Sequence, residues 1–220
     1  MFAFGWILQY ANIIAMGLGM TMVLSIAGSA GGVALGVASN RARLAGHKAI
    51  SLPIDAFVEF VRNTPFIIQL FFVFFGLPSL GIRLTPMSSA ILAIILNVGA
   101  YCAEIIRAGL DATPRGQIEA ALSLGMSRNE TFWRIQLLPA FQRIWPALSS
   151  QLVLAMLGSA VVSQIAVEDL SYAADFIESR TFRSFETYFF LTGVYFLLAW
   201  VYRSLLTRLG SRIFPRGVGT

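Results

Sequence analysis

The sequence predicts an all-α integral membrane protein with five transmembrane helices. Three observations carry that class: 57% hydrophobic residues against 12% charged, a mean hydropathy of +0.73, and several uncharged runs of bilayer-spanning length. No charged residue precedes Arg41. A water-soluble fold is excluded for such a chain of 220 residues. The amino terminus lacks a basic segment, and its first apolar stretch is too long for the core of a cleavable signal, so that stretch is expected to remain as a span. Residues 1–220 read as a single membrane domain.

Span one runs from Ile13 to Ala38 and contains Gly17, Gly19, Gly28, Gly31, Gly32 and Gly36. Small residues at these spacings permit a neighbouring helix to approach closely, but glycine is also simply tolerated in membrane helices; the sequence leaves both readings open. Span two runs from Asn63 to Ile82. Pro65 lies near its start, where a missing amide costs least, and Pro78 with Gly81 closes it near Leu77. Span three fills the uncharged twenty residues between Arg83 and Glu104 and continues to about Asp111. Span four runs from Ile144 to Val167 and span five from Thr187 to Tyr202, with the polar segment Glu168 to Glu186 between them. Span five is short, so either Arg203 snorkels or a helix flank extends into the headgroups.

Basic residues set the orientation. Arg41, Arg43, Lys48 and Arg62 lie between spans one and two, Arg115, Arg128, Arg134 and Arg143 between three and four, and Arg203, Arg208, Arg212 and Arg216 after five. With five spans all three groups share one side, which puts the amino terminus outside and the carboxyl terminus in the cytosol. A pI of 9.9 is thereby explained by topology, and nucleic acid is not expected as a partner. His47 and Cys102 are each the only residue of their kind and lie far apart, so neither a metal site nor an intramembrane enzyme is expected.

The cytoplasmic connection, residues 112–142, is long enough to hold structure of its own. Thr113-Pro114 is a helix start, with Thr113 as the cap and Pro114 at the first helical position, for a helix over Arg115 to Leu124 with Gly125 as the stop; Ser127 and Glu130 form a capping box for a second helix to Leu138, before Pro139. Glu119, Ala120 and Ala121 present one carboxylate beside two methyl groups. Such a surface suits docking into a protein groove, or a helix resting on headgroups.

Glu119-Ala120-Ala121, Gly125, Ile135 and Leu138-Pro139 together resemble the cytoplasmic loop of the membrane subunits of binding-protein-dependent ABC importers. Arg62-Asn63-Thr64-Pro65, Gln69-Leu70-Phe71-Phe72 and Ala100-Tyr101-Cys102-Ala103-Glu104-Ile105-Ile106-Arg107 are similar to the polar amino acid branch, the histidine, glutamine and arginine type. The resemblance implies a type I importer permease architecture in a bacterial inner membrane, with the short loop as a coupling helix. Glu119, Ala120, Ala121 and Gly125 would then engage an ATPase. It also implies the partners: a dimer of ATP-binding subunits holding ATP and Mg, a second permease chain, identical or different, and an external substrate-binding protein. This chain carries no phosphate-binding loop, and Lys48 is its only lysine, so no cofactor is expected on it and hydrolysis belongs to the partner.

Charges within spans are functional candidates. Glu104 and Arg107 share a helix face at i and i+3; they either neutralise one another or serve substrate, and the resemblance makes Arg107 a candidate carboxylate anchor. Span four departs from the family pattern. Leu157 stands where many relatives have a cation, and Gln151 where relatives that take basic amino acids can have a carboxylate. Gln69, Glu104, Arg107, Ser159, Ser163 and Gln164 are the candidate substrate contacts, suited to a neutral polar amino acid, although such groups often only bond across helices. The competing class is a small channel or a secondary transporter that works without an ATPase; the helix-glycine-helix loop argues against it.

Overall fold

The structure, a computed structural model, describes residues 5–44 and 46–214. Every regular element among them is helical. A short α1 (Trp6–Gln9) precedes α2 (Ala11–Arg43), the first span. Its inward face is a stripe of small residues: Gly17, Thr21, Ser25, Gly28, Gly32 and Gly36. Gly28, Gly32 and Gly36 of this stripe pack against α5 (Pro86–Asp111), which runs parallel to it, whereas Gly17 and Thr21 meet Asp169 and Leu170. A Cβ on Gly36 would stand 2.9 Å from the Ala103 amide nitrogen, and one on Gly32 3.1 Å from that of Gly99. Close approach is therefore the reason for Gly28, Gly31, Gly32 and Gly36, whereas Gly19 has no neighbour within 4 Å and is merely tolerated. Buried Asn40 fastens the pair by donating to the carbonyls of Gly36 (2.9 Å) and Ala103 (2.8 Å).

Span two is not the straight helix from Asn63 to Ile82 that the sequence suggests. The basic connection before it folds as α3 (Lys48–Arg62), and the chain bends by 115° before α4 (Phe66–Phe71). From there it continues through a π-helical turn (Phe72–Gly76) and a 3₁₀ turn (Leu77–Leu80). Pro65 makes the bend, because its ring excludes helical geometry for the residue before it. Gln69 secures the bend: Nε2 donates to the carbonyls of Val61 (2.7 Å) and Thr64 (3.0 Å), and Oε1 accepts from Asn97 on α5 (2.9 Å). Four helices are individually long and apolar enough to span, and the bent pair, taken as one broken span, makes five.

A further expectation is corrected. The helix opened by Ser127 does not stop before Pro139: α7 (Arg128–Glu130), a π-helical segment (Thr131–Leu137) and α8 (Leu138–Gly158) form one continuous rod. The wider π register upstream makes room for a ring that would clash with the Ile135 carbonyl in an α-helix. For span five the helix flank is extended, one of the two outcomes expected for so short an apolar run: α10 (Ser184–Ile213) continues past Tyr202 by three turns of amphipathic helix, with Leu206 and Gly210 inward and Arg203, Arg208 and Arg212 outward. The polar segment after span four also holds a helix, α9 (Leu170–Thr181), capped by Asp169, whose Oδ1 accepts from the Tyr172 amide at 2.9 Å. Burial beneath α2 pushes the Asp169 carboxyl up to about 6.

Candidate functional site

Two places on the molecule carry the candidate residues. The first is the knob between α5 and α8. Helix α6 (Arg115–Ser123) ends at Gly125, which takes φ +83, a left-handed conformation that glycine adopts freely. The Gly125 amide donates to the Leu122 carbonyl (3.0 Å) and the Met126 amide to that of Ala121 (3.1 Å), a Schellman closure that turns the chain sharply. Ser127 and Glu130 then cap α7 reciprocally. Thr113 is not the helix cap that the sequence suggests. Pro114 occupies that position, and buried Thr113 accepts from Arg143 Nη2 (2.9 Å), which also donates to the Gly109 carbonyl (3.2 Å).

The knob is thus braced on both sides. Arg143 ties it to α8 and the end of α5. Arg41, at the end of α2, donates to Asn129 Oδ1 from Nε (3.3 Å) and Nη2 (3.2 Å) and lies 5.6 Å from the centroid of the Phe132 ring. Neither brace is legible as such in the sequence, because both partners are distant along the chain.

Glu119 and Ala120 face outward, as expected, but Ala121 is only 5% exposed. It lies on the side of α6 that packs against the π-helical segment, where its small size permits the approach. The outward surface instead gains Leu122, Leu124 (84% exposed) and Trp133. One carboxylate among apolar side chains on a rigid projection fits a groove on another protein.

The second place is the helical bundle, and it does not unite the six polar candidates. Gln69 is committed to the α3–α4 bend. Ser159 and Ser163 return their hydroxyls to the carbonyls of Met156 (2.7 Å) and Ala160 (3.1 Å) in the 3₁₀ segment Ser159–Ile165, where Gln164 is exposed. Glu104 and Arg107 form the expected pair (2.8 Å), and Arg62 (3.4 Å) and Arg43 (3.7 Å) join them, two arginines that sequence spacing gave no means to connect. Between this cluster and the 3₁₀ segment lies a cleft of about 360 Å³ with Thr64, Asn97, Tyr101 and Gln151 on its wall and no charged residue among those lining it.

Residues 32–215 match the family described as binding-protein-dependent transport system inner membrane component. The chain is similar to the glutamine transport system permease protein GlnP of Escherichia coli (32% identical over 199 residues, 90% of this chain and 91% of that protein). It is also similar to the probable glutamine ABC transporter permease protein GlnM of Bacillus subtilis (34% over 178 residues, 81% and 82%). Among solved structures, a crystal structure of an amino acid ABC transporter with histidines superposes at TM-score 0.85, with 32% identity and 96% of this chain and 99% of that one covered. The MetNI methionine ABC transporter shares the fold at TM-score 0.73 and 16% identity, over 91% and 96%.

Proposed function

This chain belongs to the binding-protein-dependent transport system inner membrane components, and we propose on that footing that it forms the translocation path of an ATP-driven importer of polar amino acids. The observation that carries the reading is the braced knob: a projection held to α2, α5 and α8 has the build of a lever, and a channel needs none. Its end of the bundle is cytoplasmic and the amino terminus external, in line with the arginines that gather at that end. A dimer of ATP-binding subunits receives Glu119, Ala120 and Leu124, while Ala121 and Gly125 shape the knob. A second permease chain completes the path, and an external binding protein delivers solute. ATP is hydrolysed on the partner; closure there favours the outward-facing state through the knob.

The uncharged cleft at Asn97 and Gln151 is where we place the solute in transit. Amide and hydroxyl groups there can bond a neutral polar side chain but cannot balance a cationic one. Ser163 and Gln164 lie toward the external end of this path, with Ser159 behind them, and Gln69 holds the bend beside it. Glu104 and Arg107 stand at its cytoplasmic mouth.

Cross-linking tests the docking. Cys102 is the only native cysteine and is fully buried, so the background is silent. Ala120→Cys is expected to cross-link to a single-cysteine ATPase subunit in the assembled importer, in a manner that ATP modulates. Cross-linking from Ser184→Cys at the opposite end, with none from position 120, would overturn the reading.

A further inference from the structure

We propose that the charged cleft at the α6 end of the bundle is a second solute site, which binds the zwitterionic head of a free amino acid after it has left the uncharged cleft. The inference rests on the amino acid reading above and adds a site to it. The cleft has a volume of about 480 Å³, and Arg43, Asp55, Glu59, Arg62, Asn63, Glu104 and Arg107 line it. Its cations are oversupplied with donors. Arg107 holds both oxygens of Glu104, donating from Nε to Oε1 at 3.1 Å and from Nη2 to Oε2 at 2.8 Å; Arg62 reaches Oε2 at 3.4 Å, and Arg43 reaches Oε1 at 3.7 Å and Asp55 at 2.7 Å. Three guanidinium groups carry about fifteen N–H donors, whereas the two carboxylates paired with them offer only about eight lone-pair sites. Arg43 keeps Nε and Nη1 buried without a partner.

Arg62 and Arg107 are the exposed members, with side chains 43% and 53% accessible, and both line the cleft, where Arg107 has Nη1 left over from its two-point hold on Glu104. A second carboxylate fits there, across Glu104 from α3 to α5. Glu59 lies one helical turn from Asp55 on α3 and makes no ion pair among the described residues, leaving its carboxylate open to an ammonium group. Guanidinium donors and an unpaired carboxylate that line one cleft offer partners for the carboxylate and the ammonium of an amino acid. Solute held here from the cytoplasmic side would favour the inward-facing state and slow further import.

The test reads occupancy at the site itself. Asn63→Cys places a thiol on the rim while Cys102 stays buried, and its maleimide labelling rate is followed in the assembled importer in lipid nanodiscs, without nucleotide or binding protein. L-glutamine is expected to slow labelling. Neither its methyl ester, which lacks the carboxylate charge, nor 4-carbamoylbutanoate, which lacks the ammonium, should do so. Adding Glu59→Gln should raise the half-protecting concentration about tenfold, the scale of a lost charge-assisted bond. Because the analogue comparison uses a single protein, it holds even if a variant assembles poorly. Equal protection by all three compounds, or protection that survives Glu59→Gln and vanishes with Gln151→Ala, would overturn the proposal. ATP-dependent glutamine uptake without any protection sinks this site alone; absence of both uptake and protection sinks the amino acid reading with it.

Discussion

Substituting Gly125 tests whether the knob's shape is what a partner recognises. At φ +83 an alanine pays the left-handed penalty of an L-residue, about 1–2 kcal/mol, and nothing else, because its Cβ would meet no atom within 4 Å. That is a roughly 5–30-fold shift away from the Schellman corner. If docking requires the corner, the dissociation constant for the ATPase weakens by up to this factor, and by more for Gly125→Val, since a β-branched residue is a stronger outlier there. Gly193→Ala on α10 is the control: it is equally free of neighbours but in ordinary helical conformation. Affinity is measured by titrating labelled ATPase onto the permease in nanodiscs. Wild-type affinity for Gly125→Val, or an equal loss for Gly193→Ala, would refute the reasoning.

Other expectations follow from single contacts. Arg143→Ala removes two hydrogen bonds and leaves the Thr113 hydroxyl without its donor; ATPase binding should persist in pull-downs while import per ATP hydrolysed falls several-fold. Gly36→Val forces α2 away from the α5 backbone, and overpacking of about 1–3 kcal/mol should appear as a lower aggregation temperature in detergent, whereas Gly19→Ala should leave it unchanged. Burial lifts Asp169 from 3.8 to about 6, so the fold prefers its protonated form. The resulting penalty is absent below pH about 4, grows as pH rises through that interval and then persists at about 3 kcal/mol. Asp169→Asn should therefore raise thermal stability at pH 7.5 and not at pH 4; the opposite order would contradict the burial.

The spans were legible because each is an uncharged run of spanning length that ends at a charged residue, and the knob because Gly125 and the Ser127–Glu130 box are local signals. What hid was non-local or polar. Arg43, Arg62, Glu104 and Arg107 come from three helices, and only the i, i+3 pair among them leaves a mark in the sequence. Helix α9 escaped a reading based on hydropathy, although Asp169 before Leu170 is a helix cap that such a reading passes over. Pro139 misled because a proline inside a helix reads as a stop unless the π-helical segment before it is known. Ala121 joined Glu119 and Ala120 by adjacency, yet neighbouring helical residues point about 100° apart, so adjacency does not put the three on one face.

Coupling is the central claim, and it is tested most directly by solute accumulation in proteoliposomes loaded with ATP. With the ATPase, the second permease chain and the binding protein present, uptake against a gradient is expected, and it should vanish when the ATPase is left out or when position 120 is cross-linked to a bulky adduct. Accumulation at an undiminished rate by the permease chains alone would contradict it.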